Sequence, residues 1–293
     1  MLALILADGL FAYLWGSINL GVSQFHLPLK LCYLPVDGGL QPVKVAQRWP
    51  GHIELWSREP VSELASRLQC IGCKPSMQEG QGLLSVACPH GNLYHIRQAP
   101  SGFDPRGTHP SGSGTLCAMP RVVHYVRPGA AAPLHEFWSQ MMGATCELAP
   151  SLKHEQCVVR FGTGQTLVFD ERSDAPAADA YERDEHAAVH LCVYVDTLDG
   201  FKETFDACEA AGLLYANPRF AASPPWFGNA LSWEDCEACG QFRIKDLGRK
   251  LGGQLSDGEG GAKCTTALVL ELEIRSILHR SYPLKRSRRR PRE

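Results

Sequence analysis

The side chains with chemical potential in this sequence are histidines and carboxylates set into alternating, mostly apolar stretches. Val189, Leu191, Val193 and Val195 point one way and His190, Cys192 and Tyr194 the other. That is the period of a strand with one apolar face and one face carrying an imidazole, which then looks into whatever cavity the sheet encloses. His52 sits in GHIELW, residues 51–56, beside Glu54 and Trp56 and opposite Ile53 and Leu55, and His124 lies in RVVHYV, residues 121–126. Near the C-terminus Leu268, Leu270, Leu272 and Ile274 share one face of a strand, and Val269, Glu271 and Glu273 share the other. Each group also has a plainer reading. A strand histidine is often only a hydrogen-bonded polar residue, and the two glutamates fit the solvent face of an edge strand. The C-x-x-C pairs Cys70/Cys73 and Cys236/Cys239 have zinc-ligand chemistry, but they lie far apart in the chain. The glycine-rich residues 248–261 lack the G-x-x-x-x-G-K-[ST] order of a phosphate loop and read as a connection.

Elements that position these groups follow from periodicity. After His190, Asp196 or Thr197 can cap a helix whose apolar residues fall at Leu198, Phe201, Phe205, Cys208 and Ala211, ended by Gly212. After His52, Pro60 opens a helix with Val61, Leu64, Ala65 and Leu68 on one face. Strands GLLSVAC and NLYHIRQ follow, joined by Pro89-His90-Gly91-Asn92. A helix is expected over 131–142, burying Leu134, Phe137, Trp138 and Met141, then strands at 156–161, 165–169, 241–247 and 266–274. Residues 16–28 read as a strand, 29–50 as irregular with a turn at Asp37-Gly38-Gly39, and 217–228 as a Pro/Gly-rich loop.

A chain of 293 residues with 44% hydrophobic and 20% charged content has ample material for two cores. Its net charge of −2 is uneven, because the last ten residues carry six basic side chains and one acid. The body is therefore acidic, which argues against nucleic acid as its partner, and the tail reads as a solvated end. Several of the twelve cysteines fall inside apolar patterns (Cys157, Cys192, Cys208), so the thiols read as reduced. The location reads as intracellular: cytoplasmic, or organellar if the N-terminus is truncated. The apolar start is short for a membrane span, is interrupted by Asp8 and lacks a basic flank, so neither an anchor nor a secretory signal is expected.

The sequence also repeats. NLGVSQ at 19–24 resembles RFGTGQ at 160–165, and a histidine strand followed by an amphipathic helix comes after each. Residues 16–98 should then superpose on the matching part of 155–274, with His52 on His190. The first copy lacks a counterpart of the His124 strand and the Trp138 helix, so it reads as truncated, with residues 1–13 patching the gap.

A β-α-β-β-β unit used repeatedly, with histidine on its first strand, resembles the vicinal oxygen chelate superfamily of glyoxalase I, bleomycin-resistance proteins and extradiol dioxygenases. The resemblance is carried by residues 121–138, 189–212 and CPHGNLYHI at 88–96. It implies an α+β fold of tandem βαβββ modules in curled mixed sheets with helices outside. The expected organisation is an incomplete N-terminal domain at 1–98, a Gly/Ser/Pro linker at 99–118, a second domain at 119–283 and a basic tail at 284–293. It also implies a divalent metal (Fe, Mn, Ni or Zn) held by His124, His190 and Glu271 or Glu273, with Glu271 and Glu273 as the catalytic groups. Two imidazoles and a carboxylate would leave positions open for a small molecule with adjacent oxygens, in lyase, isomerase or dioxygenase chemistry. Gln165 alone on its strand could add a ligand, His95 stands where the family turn puts glutamate, and His26 lies near His52 without a matching first strand. The alternative is a metal-free protein that binds or sequesters a small ligand. Lower still stands a structural pair of modules that docks a partner protein, which would have a cup filled by its own side chains.

Overall fold

A computed structural model of the chain describes residues 18–19, 25–27, 33–36, 39–42, 49–88, 91–103, 116–150, 154–161, 164–177, 190–217, 230–248 and 266–279. The expected patch at 1–13, the glycine-rich connection after 248, most of the linker and the basic tail lie outside these residues. Contacts divide the chain into two units. The first contains the described residues up to His124 together with Phe161–Val168. The second contains Tyr125–Arg160 and the described residues from Phe169 onward.

Residues 16–28, expected as one strand, form two, β1 (Ile18–Asn19) and β2 (Phe25–Leu27), which pair antiparallel. A second hairpin, β3 (Tyr33–Val36) with β4 (Gly39–Pro42), lies where an irregular stretch was expected.

The body of unit 1 is a βαβββ module: β5 (Gly51–Ser57), helix α1 (Val61–Cys70), β6 (Ser76–Gln78), β7 (Leu83–Ala87) and β8 (Leu93–Gln98). The first and last strands pair in parallel, His52 opposite Leu93 and Glu54 opposite His95. A parallel pair needs a crossover, and α1 supplies it. Val61, Leu64, Ala65 and Leu68 are the buried residues of α1, as the periodicity predicts. On the sheet, Ile53, Leu55, Leu84, Val86, Tyr94 and Ile96 are buried and share one face by register. The other edge of β5 pairs antiparallel with β9 (Leu116–Val126), Gly51 opposite His124 and Glu54 opposite Arg121. β9 begins at Leu116, inside the stretch expected as a linker to 118, and its main chain bonds to β5, so the strand of His124 lies beside that of His52. Trp49 reinforces it, donating its indole N–H to the Val123 carbonyl at 2.7 Å.

A second βαβββ order follows in β9, helix α2 (Ala131–Glu136), β10 (Thr145–Pro150), β11 (Glu155–Phe161) and β12 (Gln165–Glu171). The helix predicted over 131–142 changes at Phe137 into a wider turn through Met141. Phe137 and Trp138, adjacent in sequence, are both buried there. In unit 2, β13 (His190–Val195) runs parallel to β15 (Leu268–Ser276), which pairs antiparallel with β14 (Gln241–Leu247). Helix α3 (Leu198–Ala210) is capped by Thr197, whose hydroxyl accepts from the Gly200 N–H at 3.1 Å. Its Phe201 and Phe205 pack on Phe242 of β14. A short helix α4 (Trp233–Cys239) precedes β14, with Ser232 as its N-cap and left-handed Gly240 as its stop. Cys236 and Cys239 lie on that helix. Among the described residues no helix is long and apolar enough to cross a membrane.

Gly51 gives the first test. Its φ is +149°, and a Cβ there would collide with the Val123 carbonyl. Gly51→Ala should cost about 2–3 kcal/mol, read as a lower denaturant midpoint with an unchanged slope.

Candidate functional site

Parity places three of the four predicted ligands together. In unit 2 His190 is opposite Glu271 and Cys192 opposite Glu273, so these residues share a face with Tyr194 and Arg275. Leu191 and Val193 pair with Leu272 and Ile274 on the face that α3 covers through Phe242. Arg243 of β14 lies opposite Glu273 and joins the polar face.

That face is closed by its own charges. Arg243 donates to both glutamates, to Glu271 Oε1 and, at 2.7 Å, to Glu273 Oε1. Arg275 donates to Glu273 Oε2 at 2.8 Å and to the Tyr194 hydroxyl at 3.2 Å, and Asn217 donates to Glu271 Oε2 at 2.7 Å. All four carboxylate oxygens therefore accept a hydrogen bond. Glu273 is only 2% exposed. Burial alone would push its carboxyl up, but Arg275, Arg243 and His190 hold it far below the usual carboxylate range. Burial moves the Cys192 thiol and the Tyr194 phenol the other way, each up to about 12. Glu273 is thus fixed as an anion, and the thiol and phenol as neutral groups.

A divalent metal does not fit this donor set. It would compete for oxygens already held by two guanidinium groups and would sit beside their positive charge. Among the described residues, no group of three or more His, Cys, Asp or Glu side chains is placed to hold a metal ion. His124, the fourth predicted ligand, lies in unit 1. It is buried on the face of β9 that register gives to Gly51 and Ile53, with the Trp49 ring edge-on at 5.0 Å. His124 packs among apolar groups on the side opposite His52.

The polar face of unit 1 gathers residues that sequence reasoning did not combine. His52, Glu54 and Trp56 of β5 lie beside His95 and Arg97 of β8 and Arg121 of β9. The rings of His52 and His95 stack at 4.1 Å, and Glu54 has His52 at 3.7 Å and Arg121 at 3.9 Å. Burial would raise Glu54, yet His52 and Arg121 bring it below its ordinary value. Burial, then His52, lowers His95. Phe103 meets Trp56 edge-on at 4.7 Å and forms an apolar wall at one end. The available signal was the parallel partner strand: Glu54 and His95 are opposite only once β5 pairs β8. Gln165 does not join this face. The side chain of His26 lies outside the described residues, and Gln165 donates to the Met119 carbonyl at 3.1 Å.

No family model matches the sequence, and no curated protein does. Among solved structures, a putative dioxygenase from Bacillus subtilis subsp. subtilis str. 168 is 10% identical with a TM-score of 0.46, covering 78% of this chain and 62% of its own. This chain therefore spans less than two thirds of that protein. Glyoxalase I from Zea mays is 11% identical with a TM-score of 0.41, covering 80% of this chain and 69% of its own. Lactoylglutathione lyase from Agrobacterium tumefaciens is 15% identical with a TM-score of 0.28, covering 54% and 92%. At this level the likeness transfers no activity. The α+β class and the repeated βαβββ order stand on the strand pairings themselves.

Two tests follow for unit 2. Arg243→Met leaves two buried carboxylates short of a partner and should cost about 3–5 kcal/mol in denaturant unfolding. Glu273 has a folded pKa below its unfolded one, so its contribution is complete above the unfolded value and is lost as pH falls through the acid range. Stability should decline below about pH 4.5, and Glu273→Gln should flatten that decline.

Proposed function

We propose that this chain is a metal-free small-molecule-binding protein whose ligand lies on the polar face of unit 1, against His52, Glu54, Trp56, His95, Arg97 and Arg121. One contrast carries the reading. The carboxylates of unit 2 are met by its own donors, with the side chains of Arg243, Glu271 and Glu273 only 6%, 8% and 2% exposed, whereas those of Glu54 and Arg121 keep 29% and 46% exposure. A few convergent polar groups beside an aromatic wall are what a small-molecule site requires. Two guanidinium groups against one carboxylate favour a small anion, and Arg121 can offer its fork to a ligand carboxylate with adjacent oxygens. With its pKa lowered, His95 is neutral near pH 7 and offers one donor and one acceptor. In this reading unit 2 is a structural module. We also take the protein to be intracellular, from the cysteines set within apolar patterns. The metal-dependent lyase, isomerase or dioxygenase reading loses its support because its carboxylates are held by Arg243 and Arg275.

The test uses the purified full chain. Elemental analysis should find divalent metal well below one equivalent. Calorimetric titration with a panel of small 2-hydroxy and 2-oxo carboxylates should find a binder, and Arg121→Ala should weaken it by about tenfold. One equivalent of metal that is lost in Glu273→Gln would overturn the metal-free reading. Binding that Arg121→Ala leaves intact would overturn the assigned face.

A further inference from the structure

The antiparallel pair β10 and β11 brings two thiols together. Cys146 is opposite Val159 and Cys157 opposite Leu148, so the two cysteines are diagonal neighbours on one face of the pair. Their Sγ atoms are 3.4 Å apart. Cys157 is fully buried and Cys146 half-buried. β10 is the end strand of its sheet, with β11 its neighbour. Diagonal pairs reach each other when side chains lean together, and the remaining gap to a bond of ~2.05 Å can be closed by rotation about χ1 and a small shift of an edge strand.

We infer that Cys146 and Cys157 form a peroxide-responsive dithiol that closes to a disulfide and fastens the edge strand β10 to β11. The attacking group is the Cys146 thiolate. The hydrogen bond from Cys157 brings the Cys146 thiol below its ordinary value, and the same bond followed by burial pushes Cys157 up, so the proton stays on the buried sulfur. Cys146 attacks one oxygen of a hydroperoxide, breaking the O–O bond and leaving a sulfenic acid and hydroxide or alkoxide, which takes up a proton. The Cys157 sulfur then attacks the sulfenic sulfur, the S–S bond forms, and the sulfenic oxygen leaves as water with the Cys157 proton. Two thiols are oxidised by two electrons and one peroxide is reduced. Only Cys146 needs access, and only Cys146 has it.

Peptide mapping of the full chain decides the matter. Reduced protein is treated with one equivalent of hydrogen peroxide, blocked with N-ethylmaleimide and digested without reductant. The expected product is a linked peptide pair holding Cys146 and Cys157, lighter by two hydrogens, with loss of blocking at both sites and recovery after dithiothreitol. In Cys157→Ser, dimedone should trap a sulfenic acid on Cys146, and no linked pair should form. Full blocking of both cysteines at a dose that oxidises the exposed Cys70 would overturn the inference, as would linkage of Cys146 to another cysteine. The wild-type map decides this alone if a variant fails to fold.

Discussion

Parallel pairing between the first and last strands of a module is the constraint on which the rest of this fold depends. β5 with β8, and β13 with β15, are parallel neighbours separated by the whole module. Parallel neighbours cannot be joined by a tight turn, so a helix must cross over and cover one face. That helix needs apolar partners, and alternation then assigns every second residue to it. The residues between are placed on the opposite face by geometry alone, whatever their chemistry. His52 and Glu54 come beside His95, and His190 comes beside Glu271, as consequences of one backbone arrangement.

The two modules use that second face in opposite ways, and the number and burial of arginines decide which. In unit 2, Arg243 reaches across from β14 to both glutamates, and Arg275 follows Glu273 by two positions on the same strand. Buried ions are costly unless every acceptor is met, and here every carboxylate oxygen is. The result is a self-contained electrostatic core that opposes a helix-packed apolar one. In unit 1, Arg121 reaches Glu54 only at 3.9 Å and keeps 46% of its side chain exposed. An exposed pair of this kind contributes little to stability, so its removal should leave folding almost unchanged.

How much could be read from the sequence depended on whether the information was local. Alternation in residues 189–195 and 268–274, together with the helix period after Leu198, located β13, β15 and α3 and put His190, Glu271 and Glu273 on one face. His124 was harder, because its strand is apolar on both sides: Val122 and Val126 accompany the histidine, but Val123 lies opposite. No alternation chooses between those faces, and only the antiparallel register with β5 does so. Helix α4 went unrecognised although Ser232, Glu234, Asp235 and Gly240 form a cap, an acidic first turn and a stop. The C-x-x-C spacing there suggested ligand chemistry when it reflects one turn of a short helix. Which first strand pairs with which was not legible at all, since every such strand carries the same pattern.

Replacement of a metal-type donor set by arginine has a direct physical logic. Two carboxylates on adjacent positions of one face repel each other when buried, and something positive must stand between them. A divalent cation does this but needs further ligands to complete its coordination sphere. A guanidinium does it with five N–H donors in a fixed fork and carries its own positive charge. Once Arg243, Arg275 and Asn217 occupy the oxygens of Glu271 and Glu273, each of those oxygens has a donor from the chain itself. A face whose carboxylate oxygens are all met from within keeps no oxygen free for an added cation, whereas the module with fewer buried partners leaves its charges in contact with water.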